Sequence, residues 1–157
     1  MRWIRDSVYK PISAYGIIGD MRTAALVGLD GSIDWCCFPR FDSPSVFGAL
    51  LDHARGGHFR ISPTAPYTSH QRYFPLTNIL VTTFHLHDGG GAIEVLDFMP
   101  APGETPIADA HEIHRRVRSI RGRVPAEALF APRFDYARGA TRLEATNRGV
   151  LARGDHE

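Results

Sequence analysis

The chain reads as a mainly β protein, an antiparallel β-sandwich with one short helix. Two hairpin signatures, many short apolar runs cut by Gly, Asp, Asn and Pro, and almost no helical periodicity predict this class. The first hairpin runs through Ala24-Ala25-Leu26-Val27, turns at Gly28-Leu29-Asp30-Gly31 and returns as Ser32 to Phe38. Asp-Gly suits the turn because glycine accepts the positive φ that a tight reversal needs. In the second, Asn78 to His87 is rich in β-branched residues, Asp88-Gly89-Gly90-Gly91 reverses the chain, and Ala92 to Met99 returns. His58 to Ser62, Gln71 to Phe74, Glu112 to Arg121 and Ala126 to Phe134 supply shorter strands. The helix is expected over 43–51. Ser43-Pro44-Ser45 can cap it, and Val46 to Leu51 carries apolar residues at helical spacing.

Composition sets the frame. A length of 157 residues makes one domain the expectation, and an apolar share of 43% supports a proper core. The formal charge of +1 gives no field that would steer the molecule to nucleic acid or anionic lipid. Lys10 is the only lysine, so arginine clusters reflect compositional bias as much as purpose. Cys36 and Cys37 are adjacent, and neighbours in an extended chain point to opposite faces, which excludes a disulfide scaffold. The opening MRWIRDSVYKP lacks the apolar core of a signal peptide, and no later run could span a bilayer. A soluble cytoplasmic domain without a membrane partner is expected.

The tetrapeptide Pro39-Arg40-Phe41-Asp42 recurs as Pro132-Arg133-Phe134-Asp135. The first copy follows a strand and is stiffened by Pro39 and Pro44. It would present Arg40, Phe41 and Asp42 together, a mixture suited to sugars: donors and acceptors for hydroxyls, an aromatic face for C–H groups. The architectural alternative pairs Arg40 with Asp42, or caps the following segment, while Phe41 fills a seam. Most loop ion pairs and aromatics are of that kind. The second copy has unrelated flanks (ALFA before, YARG after), so it reads as coincidence or a shared way of ending a strand. A site is expected only at the first.

Strand parity puts Trp35 with Ile33 and Cys37, opposite Asp34, Cys36 and Phe38, which favours a core tryptophan over an exposed sugar-stacking platform. Asp34 then lies among apolar neighbours and needs a partner, for which Arg22 across the hairpin is the candidate. His85 and His87 share a strand face, and His70, His111 or His114 could complete a zinc site, but no spacing enforces it, so neither metal nor cofactor is expected. The basic run 111–123 lacks interleaved aromatics and reads as an edge or interface strand blunted by charge, not as a nucleic-acid surface. Gly16-Ile17-Ile18-Gly19 lacks the spacing of a dinucleotide fingerprint.

These residues also carry a resemblance. Tyr15 to Val27, Asp30 to Trp35 and Pro39 to Phe47 are similar to the start of the bacterial glucoamylase and trehalase-like proteins of glycoside hydrolase family 15. Arg72-Tyr73, Asn78-Ile79-Leu80, Asp97-Phe98-Met99-Pro100 and Pro132 to Tyr136 follow in the same order. The resemblance implies a supersandwich-like N-terminal domain preceding an (α/α)₆ barrel, whose two glutamates hydrolyse α-glucosidic bonds with inversion. Residues 1–157 would be that N-terminal domain alone, its sandwich stopping short at the C-terminal end and the barrel absent.

Counting supports the absence. Twelve helices of average length with short connections need at least ~180 residues. Inversion needs two carboxylates ~6.5–9.5 Å apart across the scissile bond, and nothing in the sequence pairs two of Asp34, Asp42, Glu94, Asp97 and Asp135 in that way. No catalytic residue is assigned. The expected role is to pack against an (α/α)₆ catalytic domain, in cis or in trans, with the 39–42 loop leaning toward its pocket. The alternatives are an autonomous module for α-glucoside sugars, or a truncated product without activity.

Overall fold

A computed structural model describes residues 8–101 and 111–155 and arranges them as two facing antiparallel sheets with a separate hairpin. The first sheet contains β1 (Tyr15–Gly19), β2 (Ala24–Gly28), β3 (Ser32–Cys37), β4 (Ser45–Phe47), β5 (His58–Pro63) and β10 (Ala126–Ala131). Its order is β1-β2-β3-β5-β10, with β4 sharing the edge of β3 that β5 also uses. The second sheet runs β6 (Tyr67–Tyr73), β7 (Leu80–Leu86), β8 (Ala92–Phe98) and β9 (His114–Arg121). The hairpin is β11 (Thr141–Thr146) and β12 (Gly149–Gly154).

Inward residues of both sheets meet between them, as in a sandwich, in two clusters bridged by Phe59. Ile18, Val27, Ile33, Cys36 and Phe47 from the first sheet pack on Leu80 and Met99. Ile61 meets Phe84, Ile93 and Val95 from the second. Polar ties reinforce the seam: the Gln71 side-chain amide donates to the Val27 and Gly28 carbonyls, each at 3.1 Å. The outer edge of β1 is closed by side chains. The Tyr73 hydroxyl accepts from Ile17 N and donates to Ile17 O at 2.9 and 2.8 Å, and Asn78 donates to the Gly19 carbonyl at 2.7 Å. An edge satisfied in this way offers less template for stray pairing.

The basic run lies on β9, at an edge of the second sheet, as its charge pattern predicts. The expected helix over 43–51 is absent. Ser45 and Phe47 pair with Cys37 and Cys36 of β3, and Gly48 N donates to Gly56 O at 2.7 Å. Backbone groups that a helix would satisfy internally find partners on β3 and at Gly56–Gly57 instead. Gly56 is required there, because an added Cβ would sit 2.2 Å from the Gly48 carbonyl oxygen. Among the described residues no helix is long and apolar enough to cross a membrane.

Candidate functional site

The first tetrapeptide leaves β3 as a tight loop. Arg40 N donates to Ser43 Oγ, Ser43 N donates to Arg40 O, and Phe41 N donates to Arg22 O, all at 3.1 Å. The loop is thereby fastened to the segment between β1 and β2. Together they shape an open concavity of about 860 Å³ lined by Met21, Arg22, Pro39, Arg40, Phe41, Asp42 and His111. Arg40 faces Asp42 as a fork, with Nε 3.1 Å from Oδ1 and Nη2 3.4 Å from Oδ2. Both side chains are largely exposed, so the pair shapes the loop more than it stabilises the protein. Phe41 fills no seam; it is 63% exposed. Apolar surface and a charged fork therefore face outward side by side.

Met21, which nothing in the sequence marks, and His111, named there only as a possible metal ligand, complete this wall. Met21 is 81% exposed and has a φ of 70°, a conformation unusual for a side chain of this kind. His111 packs against Phe38, with ring centroids 5.9 Å apart and planes tilted by 34°, and brings Nδ1 within 3.6 Å of Asp20 Oδ2. Asp20 itself organises the turn. Burial works against its charge, but hydrogen bonds from Thr23 N and Arg22 N, at 2.8 and 2.9 Å, hold its pKa below the ordinary carboxylate value.

Trp35 lies apart from the concavity, and its parity is changed by a β-bulge. Val27 pairs with Ile33 and Leu26 with Trp35, so Asp34 is an extra residue. Ile33 and Cys36 consequently both reach the core, and Trp35 is half-buried outside it, with its ring 6.1 Å from Tyr136. The expectation that Trp35 shares the core face of Ile33 is corrected by this one inserted residue.

The expected pairing of Asp34 with Arg22 is also corrected. Asp34 Oδ2 accepts from Lys10 Nζ at 2.5 Å and from the Tyr15 hydroxyl at 2.8 Å, while Oδ1 accepts from Ser32 Oγ at 2.6 Å. Burial opposes its ionisation, but these three donors outweigh it and hold the pKa low. Arg22 instead lines the concavity.

The two tetrapeptides differ in use but share a place. β3 and β10 run parallel with antiparallel β5 between them, so both copies emerge from the same end of the first sheet. They border a second hollow of about 560 Å³, with Phe38, Pro39 and Val46 on one side and Phe134 and Asp135 on the other. In the second copy Pro132 is buried, Arg133 N donates to Val46 O at 2.9 Å, and Tyr136 N donates to Ser45 Oγ at 3.0 Å.

The histidines do not converge. His70 stacks on His85, His114 stacks on Phe98, and His111 stands by Asp20. Among the described residues no group of three His, Cys, Asp or Glu side chains could hold a metal ion. Each of the acids named from sequence has its own cation: Asp34 has Lys10, Asp42 has Arg40, Glu94 has Arg72 and Arg118, Asp97 has Arg115, and Asp135 has Arg138.

Comparison with known proteins adds a consistent picture. The family described as trehalase-like, N-terminal, matches residues 1–157. The trehalase of Thermoplasma volcanium is 36% identical over 151 residues, covering 95% of this chain and 24% of the relative. The trehalase of Mycobacterium tuberculosis is 37% identical over 147 residues, covering 85% and 22%. Trehalase 1 of Sulfolobus acidocaldarius is 40% identical over 121 residues, covering 77% and 19%. The chain thus spans under a quarter of the length of these relatives. No solved structure matches it significantly.

Proposed function

The chain belongs to the trehalase-like N-terminal family, and from that premise we propose that it is a non-catalytic domain packing against an (α/α)₆ catalytic region, in cis or in trans. The observation that carries this reading is the pairing of all five candidate acids with cations of the same domain. A general acid and a general base need two carboxylates left available on either side of a substrate. The system so formed would hydrolyse an α-glucosidic bond, with trehalose the leading substrate class. The exposed Arg40, Phe41 and Asp42 would lie against the partner and border its pocket. Incubating the purified chain with trehalose and maltooligosaccharides should release no glucose. Release that disappears when one of these acids is changed would overturn the proposal.

The second reading, an autonomous sugar-binding module, draws on the same exposed loop, since Phe41 offers a ring face beside the Arg40–Asp42 fork. Calorimetric titration with trehalose separates the two. Silence favours the packing role, and millimolar or tighter binding that is lost in Phe41→Ala favours the module.

A further inference from the structure

The basic run on β9 contributes to a second arrangement, on the outer face of the second sheet. Ile93 and Val95 point into the core, so Glu94 between them points outward, yet it is only 6% exposed. Two guanidinium groups cover it. Arg118 places Nε 2.8 Å and Nη2 2.5 Å from Oε2, and Arg72 places Nη2 3.3 Å from Oε1. Thr83 Oγ1 lies 3.4 Å from Oε1. Arg72 also sits over the Phe74 ring, 5.5 Å from its centroid, which fixes its plane.

Both guanidinium groups remain about half exposed, at 46% and 47%. Arg116, two residues from Arg118 and hence on the same face, pairs across the ladder with Leu96. Its side chain has no ionic or hydrogen-bond partner among the described residues. Arg72 and Arg116 sit at the two ends of one cross-strand row through Val81 and Leu96, beside the row of Glu94 and Arg118, so three arginines share the face with one carboxylate and leave it positive. Each guanidinium carries five N–H donors, and Glu94 engages only a minority of them. An arginine on open surface must be ordered before it can bind; here Glu94 and Phe74 have already ordered two.

We propose that Arg72, Arg116 and Arg118 form a binding site for an oxyanion, with the buried Glu94 spacing the flanking guanidinium forks. The oxyanion is either a free phosphate or a carboxylate presented by a docked protein; both offer oxygens that planar donors can grip. This proposal does not depend on the packing role assigned above.

The test is a ¹⁵N NMR titration of the full chain with inorganic phosphate and, separately, with glutarate, each at constant ionic strength against chloride. Saturable shifts confined to residues 70–72, 94 and 114–118, half complete at about 1 mM, are expected for at least one probe. Saturation by phosphate alone assigns the free anion; equal or tighter glutarate assigns a protein carboxylate. Arg116→Gln, which breaks no internal pair, should weaken binding about tenfold without changing the melting temperature, and Arg72→Gln should do the same to the binding. An equal response to chloride, shifts spread to Arg142 and Arg153, or unaltered affinity in Arg116→Gln would each overturn the site.

Discussion

Lys10 Nζ lies 2.5 Å from Asp34 Oδ2 and 3.0 Å from Asp30 Oδ2, so the chain's only lysine ties the first hairpin's turn to its bulged strand. Asp34 is 5% exposed, and removing its main cation leaves a carboxylate with nowhere to go. Lys10→Met should therefore cost about 3 kcal/mol at neutral pH, read from urea unfolding. Retention of stability within a few tenths would mean that Ser32 and Tyr15 suffice.

The same pair sets a pH window. Asp34 is held below its ordinary pKa and Lys10 above its own, in both cases by hydrogen bonds and charge that outweigh burial. The Asp34 contribution is complete above the unfolded carboxylate value, about 4, and is lost as pH falls through the folded one. The Lys10 contribution is complete below about 10.5 and is lost as pH rises through its folded value. Wild-type stability should show both shoulders, whereas Lys10→Met should shrink both, the alkaline one persisting in part through Tyr15, whose pKa is raised by burial and by its bond to Asp34. An unchanged alkaline shoulder would assign it to other groups.

Gly31 shows how little room the turn leaves. Its φ is +76°, and an added Cβ would sit 2.2 Å from the Ile61 carbonyl oxygen. Its own carbonyl accepts from Arg115 Nη2 at 2.7 Å, linking the turn to a guanidinium that also binds buried Asp97. Gly31→Ala should destabilise by more than about 2 kcal/mol, measured by thermal or urea unfolding, since conformation and packing both oppose it.

The legible parts of the fold are those whose signal is local. Asp30-Gly31 turns the first hairpin, and Asp88 to Gly91 turns the second, where Gly90 N donates to Asp88 Oδ1 at 2.7 Å. β4 was hidden because three residues become a strand only when Cys36 and Cys37 are there to pair with. The bulge at Asp34 was hidden too, since one inserted residue leaves the apolar pattern almost intact while changing the face of Trp35. Within the site, Arg40 and Asp42 sit two residues apart and can be paired by eye. Lys10 and Asp34 are 24 residues apart, and only tertiary structure joins them. A lone lysine in an arginine-rich chain was the available hint. The β11–β12 hairpin also carries a local signal, Asn147 and Gly149 at its turn.

Phe41 tests the role of the exposed loop. In a chimera where residues 1–157 replace the matching segment of the Thermoplasma volcanium trehalase, Phe41→Ala should lower kcat/KM for trehalose about tenfold, a loss of about 1.4 kcal/mol of transition-state stabilisation. The isolated chain should keep its melting temperature, because the ring is 63% exposed. Full activity in the chimera would remove the loop from the pocket.

Asp135, Tyr136 and Ala137 have φ values of 48°, 57° and 58°, three successive residues in the left-handed region, where an L side chain costs roughly 1–2 kcal/mol each. Contacts from Tyr136 offset this: its backbone N–H reaches Ser45 Oγ and its ring lies 6.1 Å from Trp35. Two variants should then move stability in opposite directions. Ala137→Gly relieves one strained residue and, after the added freedom of the unfolded chain, should stabilise by about 0.5 kcal/mol. Tyr136→Ala keeps the strain and the backbone bond to Ser45 but deletes the ring packed by Trp35, and should destabilise by about 2 kcal/mol. Chemical denaturation resolves both shifts. A destabilised Ala137→Gly would show that the turn is not left-handed at that residue, and with it would go the account of how the second tetrapeptide is anchored.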